Sequence, residues 1–309
     1  MSLSAILPLT GCRCGIYVLH FADGSAYVGQ ASDFLARFGT HRRRWGGDIV
    51  DVEFSSVKRP SLDEMERLTI QRLEREQRPL RNIALVGLPM GDSTLDVVVE
   101  RIEQEEWLVG AATREYDLKA RVHSARQRHQ TVSTRWQQLA DRPDYAAIRR
   151  ALWEYLMVAV PWPHETESRF WTVTAMPQTN RSSRHRRLSA ISVNNVETLV
   201  LMEDRDRLGR WVARGFVNVA LGAGGRRAIR NEYRTTGPLD TIPFRSWGDL
   251  RRLLRDDDVA KGARRTVLGL MRKGRGMMGK YHDGNLADAL FEYGYGRERR
   301  EKASRTRRS

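Results

Sequence analysis

Tyr17, Tyr27, Arg37, His41 and Glu66 bring two phenols, a guanidinium, an imidazole and a carboxylate into one short stretch of a 309-residue chain. Arg37 and His41 are four residues apart, so on a helix they lie along one side. Glu66 falls, at about 100° per residue, on the same side as Leu62, Ile70 and Leu73, whereas Glu64 points the opposite way. A carboxylate turned toward a core is costly unless a cation or hydrogen-bond donors meet it. Glu66 therefore takes a cation, pairs with an arginine or tilts out to solvent. Phenols titrate near pH 10, so a tyrosine moves a proton at neutral pH only with positive charge beside it.

The elements that must position these groups are legible. Gly15 to Phe21 reads as a strand, Asp23-Gly24 as a tight turn and Ala26 to Gln30 as the returning strand. Ser32 is the expected cap of a helix with Phe34, Leu35 and Phe38 as its buried stripe and Arg37 and His41 along its border. Arg42, Arg43 and Arg44 follow as a basic cluster. Val50, Val52 and Phe54 alternate with Asp51, Glu53 and Ser55, the period of a strand buried on one face. Ser61-Leu62-Asp63-Glu64 matches a capping box, which gives Glu64 a structural role at the start of a second helix. Pro79-Leu80-Arg81-Asn82 closes the segment.

Taken in order, Gly15-Ile16-Tyr17, Tyr27-Val28-Gly29, Arg37, His41, Glu66 and Asn82 resemble the motifs of the GIY-YIG nuclease family over about residues 12–85. The resemblance implies a small α/β domain with a three-stranded antiparallel sheet and flanking helices, hydrolysing DNA phosphodiesters with one divalent metal per active site, Mg²⁺ or Mn²⁺. By similarity Glu66 would ligate the metal, Tyr17 would help to deprotonate the attacking water, and Arg37 would hold the scissile phosphate. Tyr27 would hydrogen-bond the phosphate or the water, His41 would carry a proton or contact phosphate, and Asn82 would order the site. Gly15 and Gly29 belong to the structural motif, Gly29 for close backbone approach. Val28 stands where isoleucine is usual. Gln30 stands where some repair-type members carry a lysine, so lysine-assisted proton transfer is not assumed. Alternatives of another class are a DNA-binding or scaffold protein with a dormant nuclease fold, or an RNA-processing nuclease.

Charge divides the chain unevenly. Residues 1–90 hold 12 basic and 10 acidic side chains, residues 91–160 hold 10 and 11, and residues 161–309 hold 31 and 17. A basic half joined to a nearly neutral one suits a protein in which one part holds a polyanion and another acts on it. Only 6 of the 53 basic residues are lysine, so an arginine-heavy composition accounts for part of the excess. Two cysteines, Cys12 and Cys14, exclude a disulfide framework, and no cluster of Cys and His supplies a structural zinc site. No run approaches the roughly 18 apolar residues of a membrane span, so a cytoplasmic protein without a membrane partner is expected.

The whole is expected to be α+β. The expected divisions are a nuclease-like domain over 12–90, a helical connector over 91–160, a basic α+β DNA-binding domain over 161–296 and a disordered basic tail over 297–309. In the connector, Leu95, Val98, Val99, Ile102 and Val109 suggest one helix. Leu118, Val122, Ala125, His129, Val132, Trp136 and Leu139 have heptad spacing that suits an intramolecular hairpin or a homodimer seam over 118–139. Tyr145 to Val160 reads as a further helix, and Pro161-Trp162-Pro163 marks a boundary. Beyond it, strands are expected at Phe170–Met176, Leu188–Val193, Val196–Met202 and Trp211–Leu221, and helices at Trp247–Arg255, Ala263–Arg272 and Asn285–Tyr293. Duplex DNA is the expected partner. Its phosphate contacts would come from Arg42, Arg43 and Arg44, from Arg184, Arg186 and Arg187 in a basic loop, from Arg226 and Arg227 after a glycine turn, and from Lys273 and Arg275 in a connector.

Overall fold

β1 (Gly15–Phe21) and β2 (Ala26–Ala31) form the expected hairpin in the computed structural model, which describes residues 13–82, 86–90, 92–110, 133–178, 182–233 and 236–306. Gly24 takes the positive φ, 80°, that this turn requires. β3 (Ile49–Ser56) pairs antiparallel on the other side of β1, giving the order β2-β1-β3. A central strand is buried on both faces, which is why β1 is nearly all apolar. Ile16 and Val18 pack with Leu62, Ile70 and Leu73 of α2 (Leu62–Arg75). Tyr17, Leu19 and Phe21 pack on the opposite face with Phe34 of α1 (Phe34–Trp45).

Two expected caps are corrected. Asp33, not Ser32, caps α1, its carboxylate accepting from the Ala36 N–H at 3.2 Å. Ser61 makes no side-chain cap, because it ends a 3-10 turn (Arg59–Ser61) and has φ −100° and ψ 5° in place of the extended backbone a capping hydroxyl needs. His41 also departs from its expected border position and is buried.

The chain separates into two compact units, one of residues 1–92 with 234–237 and one of 93–233 with 238–309. The second opens with α3 (Arg101–Val109), α4 (Thr134–Ala140) and α5 (Tyr145–Ala159), continues as a sheet, and closes with α6 (Trp247–Leu253), α7 (Asp257–Arg272) and α8 (Gly284–Thr306). The sheet contains β4 (Trp171–Ala175), β5 (His185–Val193), β6 (Val196–Arg205), β7 (Trp211–Ala220), β8 (Ile229–Tyr233) and β9 (Gly237–Phe244), in the order β4-β5-β6-β7-β9-β8. α7 covers β5, β6 and β7, and α5 packs against α7 and α8. Pro161 to Pro163 lies inside this unit, with Trp162 buried.

Four further expectations change here. Leu95 and Val98 lie in turns ahead of α3, which starts only after Glu100, whose N–H is met by the Glu103 carboxylate at 3.2 Å. β5 begins at His185, so Arg186 and Arg187 are strand residues and not a loop. β8 and β9 were not legible, because β8 is short and mostly exposed and β9 carries Pro238 and Pro243, which read as breakers. The expected disordered tail is helical as far as Thr306, continuing α8. The heptad positions from Leu118 to Val132, His129 among them, lie outside the described residues. No helix among the described residues is long and apolar enough to cross a membrane.

Candidate active site

Tyr17 stands opposite Gly29 in the β1–β2 ladder. A Cβ at Gly29 would lie 2.3 Å from the Tyr17 hydroxyl and 2.4 Å from Cζ, so the phenol crosses β2 through the space that only glycine leaves. Gly15 is constrained in a similar way, because a Cβ there would meet the Ser55 carbonyl at 2.1 Å and spoil the β1–β3 pairing.

The Tyr17 hydroxyl ends 2.7 Å from His41 Nε2, both side chains being buried. Tyr27 packs on the same imidazole, ring centroids 5.1 Å apart, and Trp45 stacks on it at 5.0 Å and 4°. Burial brings the His41 pKa down to about 4, and the charges of Arg37 and Arg44 act in the same direction. Neutral at pH 7, His41 can accept the Tyr17 hydroxyl hydrogen at Nε2 in the tautomer that carries its own hydrogen on Nδ1. Burial likewise pushes the Tyr17 phenol up to about 12, opposed by Arg37, whose guanidinium lies against the hydroxyl. The same contact holds the Arg37 pKa above its ordinary value.

Glu66 stands on α2, which covers the other face of the sheet, close enough for its charge and those of Tyr17 and Arg37 to act on one another. It is half-buried while Glu64 is exposed, as the helical spacing requires. Desolvation raises its pKa; the charge of Asp63 adds to the rise, and Gln30 and Arg37 offset part of it. Gln30 faces α2 with Val28, two residues along the strand, and its amide donates to Asp63 Oδ1 at 2.7 Å. Asp63 and Gln30 were not among the site residues expected from sequence. The signals were present: Asp63 precedes Glu66 by three residues on the same side of α2, and alternation in β2 turns Gln30 toward that helix.

Asn82 acts one step back. Its Oδ1 accepts from the Val28 N–H at 2.9 Å and its Nδ2 donates to the Val28 carbonyl at 2.7 Å, replacing a neighbouring strand. With Pro79 and Arg81 bonded to both backbone groups of Ala26, the outer edge of β2 is covered as far as Val28. Beyond that point come Gly29, beside which the Tyr17 phenol passes, and Gln30, whose amide meets Asp63 of α2.

A hard divalent cation suits this donor set. Glu66 is a carboxylate whose charge is poorly solvated, Asp63 is a second carboxylate beside it, and such ions are held by one or two carboxylates completed by water and phosphate oxygens. Among the described residues, no three His, Cys, Asp or Glu side chains converge into a closed metal cage.

Arg42, Arg43 and Arg44 are exposed in the last turn of α1, next to His41. The expected phosphate contacts of the second unit divide differently. Arg184, Arg227 and Arg275 are exposed, Lys273 is half-buried, and the side chain of Arg226 lies outside the described residues. Arg186 and Arg187 are committed to Glu203 and Glu197 across the strand pair, so the notion of a basic loop gripping phosphates with them is corrected. The glycine turn before Arg226 has its amides engaged too, Gly222 and Gly224 both donating to Asp240 Oδ2. Comparison with protein-family models, with curated proteins and with solved structures returns no match to this chain.

Proposed function

We propose that the first unit hydrolyses DNA phosphodiester bonds in the manner of a GIY-YIG nuclease, with Mg²⁺ or Mn²⁺ at Glu66 and Asp63, and that the basic second unit holds the substrate. The observation that supports this reading best is the Tyr17 hydroxyl, 2.7 Å from His41 Nε2 and within electrostatic reach of Arg37 and of Glu66, which stands on the helix covering the other face of the sheet. A bound cation would supply charge opposite the phosphoryl oxygens.

The residues divide the remaining work. A phenol with a pKa near 12 is a poor base on its own, but one that passes its proton to a neutral imidazole as it takes another from water is a relay. Water gives a proton to Tyr17 Oη, the Tyr17 proton moves to His41 Nε2, and the hydroxide attacks phosphorus as the bond to the 3′ oxygen breaks. Arg37 stabilises the negative charge that develops on the phenol oxygen and on the phosphate together. Gln30 carries no titratable proton, so the leaving oxygen is protonated from solvent.

The purified chain incubated with plasmid and Mg²⁺ or Mn²⁺ tests this. Nicking that falls about 10²-fold or more in Tyr17→Phe, which keeps the ring and loses the relay, is the expected result. Wild-type protein inert on every form of DNA would favour a binding or scaffold role, and cleavage confined to RNA would favour RNA processing.

A further inference from the structure

The second unit holds a cleft of about 980 Å³, within the range of small-molecule sites. It follows from the strand pattern. Val173, Ile191, Leu199, Val217 and Val219 are buried, and α7 closes on their side of the sheet, with Gly262 against Val219. The alternate residues are small and mostly polar. Thr172 and Thr174 of β4 stand opposite Ser192 and Ala190 of β5, and these four form the cleft floor. Farther along the same face, Asn218 donates to the Tyr233 hydroxyl at 2.7 Å and accepts from Thr241. A sheet face so furnished is not a core face.

The walls define a ligand. α4 begins on one side, and the 3-10 turn Met277–Tyr281 packs on β4 at the other. Its Tyr281 is 54% exposed, with Lys280 Nζ 5.0 Å from the ring centroid. Arg135 adds a second exposed cation, and among the described residues neither Arg135 nor Lys280 has an ion-pair partner. Two acids also line the cleft, one of them paired with an arginine and the other hydrogen-bonded to neutral donors. Glu197 is held by Arg187, and Asp283 accepts from the Ser133 hydroxyl at 3.0 Å and the Leu286 N–H at 3.0 Å. His282 is also committed, to Glu167 and to the Val173 N–H.

An exposed tyrosine for stacking, two exposed cations and a floor carrying three hydroxyls suit an aromatic base joined to a phosphate. We infer that this cleft is a nucleotide-binding site, taking either a free nucleotide or one nucleotide of a single strand. The inference does not depend on hydrolysis by the first unit.

Calorimetric titration of the full chain in EDTA tests it, with adenosine 5′-monophosphate, a short deoxythymidine oligonucleotide and inorganic phosphate as probes. Saturable nucleotide binding is expected, weakened on the order of tenfold by Lys280→Ala and by Tyr281→Ala and abolished by Ser192→Trp, which fills the floor. Glu66→Gln should bind as the wild type does, which separates this result from any failure of the nuclease reading. Tighter binding of the oligonucleotide would identify a strand as the source, and tighter binding of the mononucleotide a free ligand. Absence of saturable binding, equal affinity in the Lys280 and Tyr281 variants, or inorganic phosphate competing as well as the nucleotide would overturn the inference.

Discussion

At the scale of single residues, the Tyr17–His41 contact is decided by a missing side chain, since any Cβ at Gly29 would occupy the position of the phenol. Gly29→Ala should therefore cost about 1–3 kcal/mol of stability by overpacking and should displace the hydroxyl from His41. Urea denaturation, with tyrosine fluorescence or NMR on His41, would register both effects. His41 supplies a pH test. Its folded pKa of about 4 lies below the ordinary 6.5, so the neutral ring contributes stability that is complete above 6.5 and is lost as pH falls through 4. The melting temperature should decline across that window in the wild type and decline less in His41→Asn. Glu66 has the opposite sign: its pKa is raised, so ionising it opposes folding, and Glu66→Gln should melt no lower than the wild type at pH 7.

At the scale of elements, Asn82 shows how a side chain can finish a sheet. Asn82→Ala would strip partners from the buried N–H and C=O of Val28, an expected loss of about 1–3 kcal/mol measurable by denaturant unfolding, whereas Asn82→Asp would keep the acceptor and lose the donor. Much of the first unit could be read beforehand because its signals are local. Asp23-Gly24 fixes the hairpin and the 100° spacing separates Glu66 from Glu64, whereas the alternation expected of β3 holds only for Val52 and Phe54, since a register shift beside Phe21 brings Ile49 onto the core and leaves Val50 exposed. What escaped depended on neighbours distant in sequence. Nothing near Ser61 announces that a 3-10 turn takes its backbone out of capping geometry, and nothing near Arg186 or Arg187 announces that Glu203 and Glu197 lie across the strand pair. Gln30 looked only like a departure from a pattern, because its contact with Asp63 spans two elements. The second unit was less legible still, since the prolines of β9 obscure a strand that only the assembled sheet makes favourable.

For the whole molecule, two units with unequal charge suit the division of labour proposed above, and the ion pairs show where the excess charge is available. Arg184 is exposed, whereas Arg187 is engaged by Glu197, so Arg184→Ala should reduce the salt dependence of DNA binding by about one charge and leave the fold intact. Arg187→Ala should instead destabilise the β5–β6 pair. Fluorescence anisotropy at several salt concentrations, with melting curves, separates the two. The central claim is that a carboxylate on the inward side of α2 serves phosphodiester cleavage, and the comparison of Glu66→Gln with Glu64→Gln tests it most directly. Plasmid nicking in Mg²⁺ should fall by orders of magnitude in Glu66→Gln, with the fold intact, and should be unchanged in Glu64→Gln. Nicking retained by Glu66→Gln, or lost only in Glu64→Gln, would contradict the account.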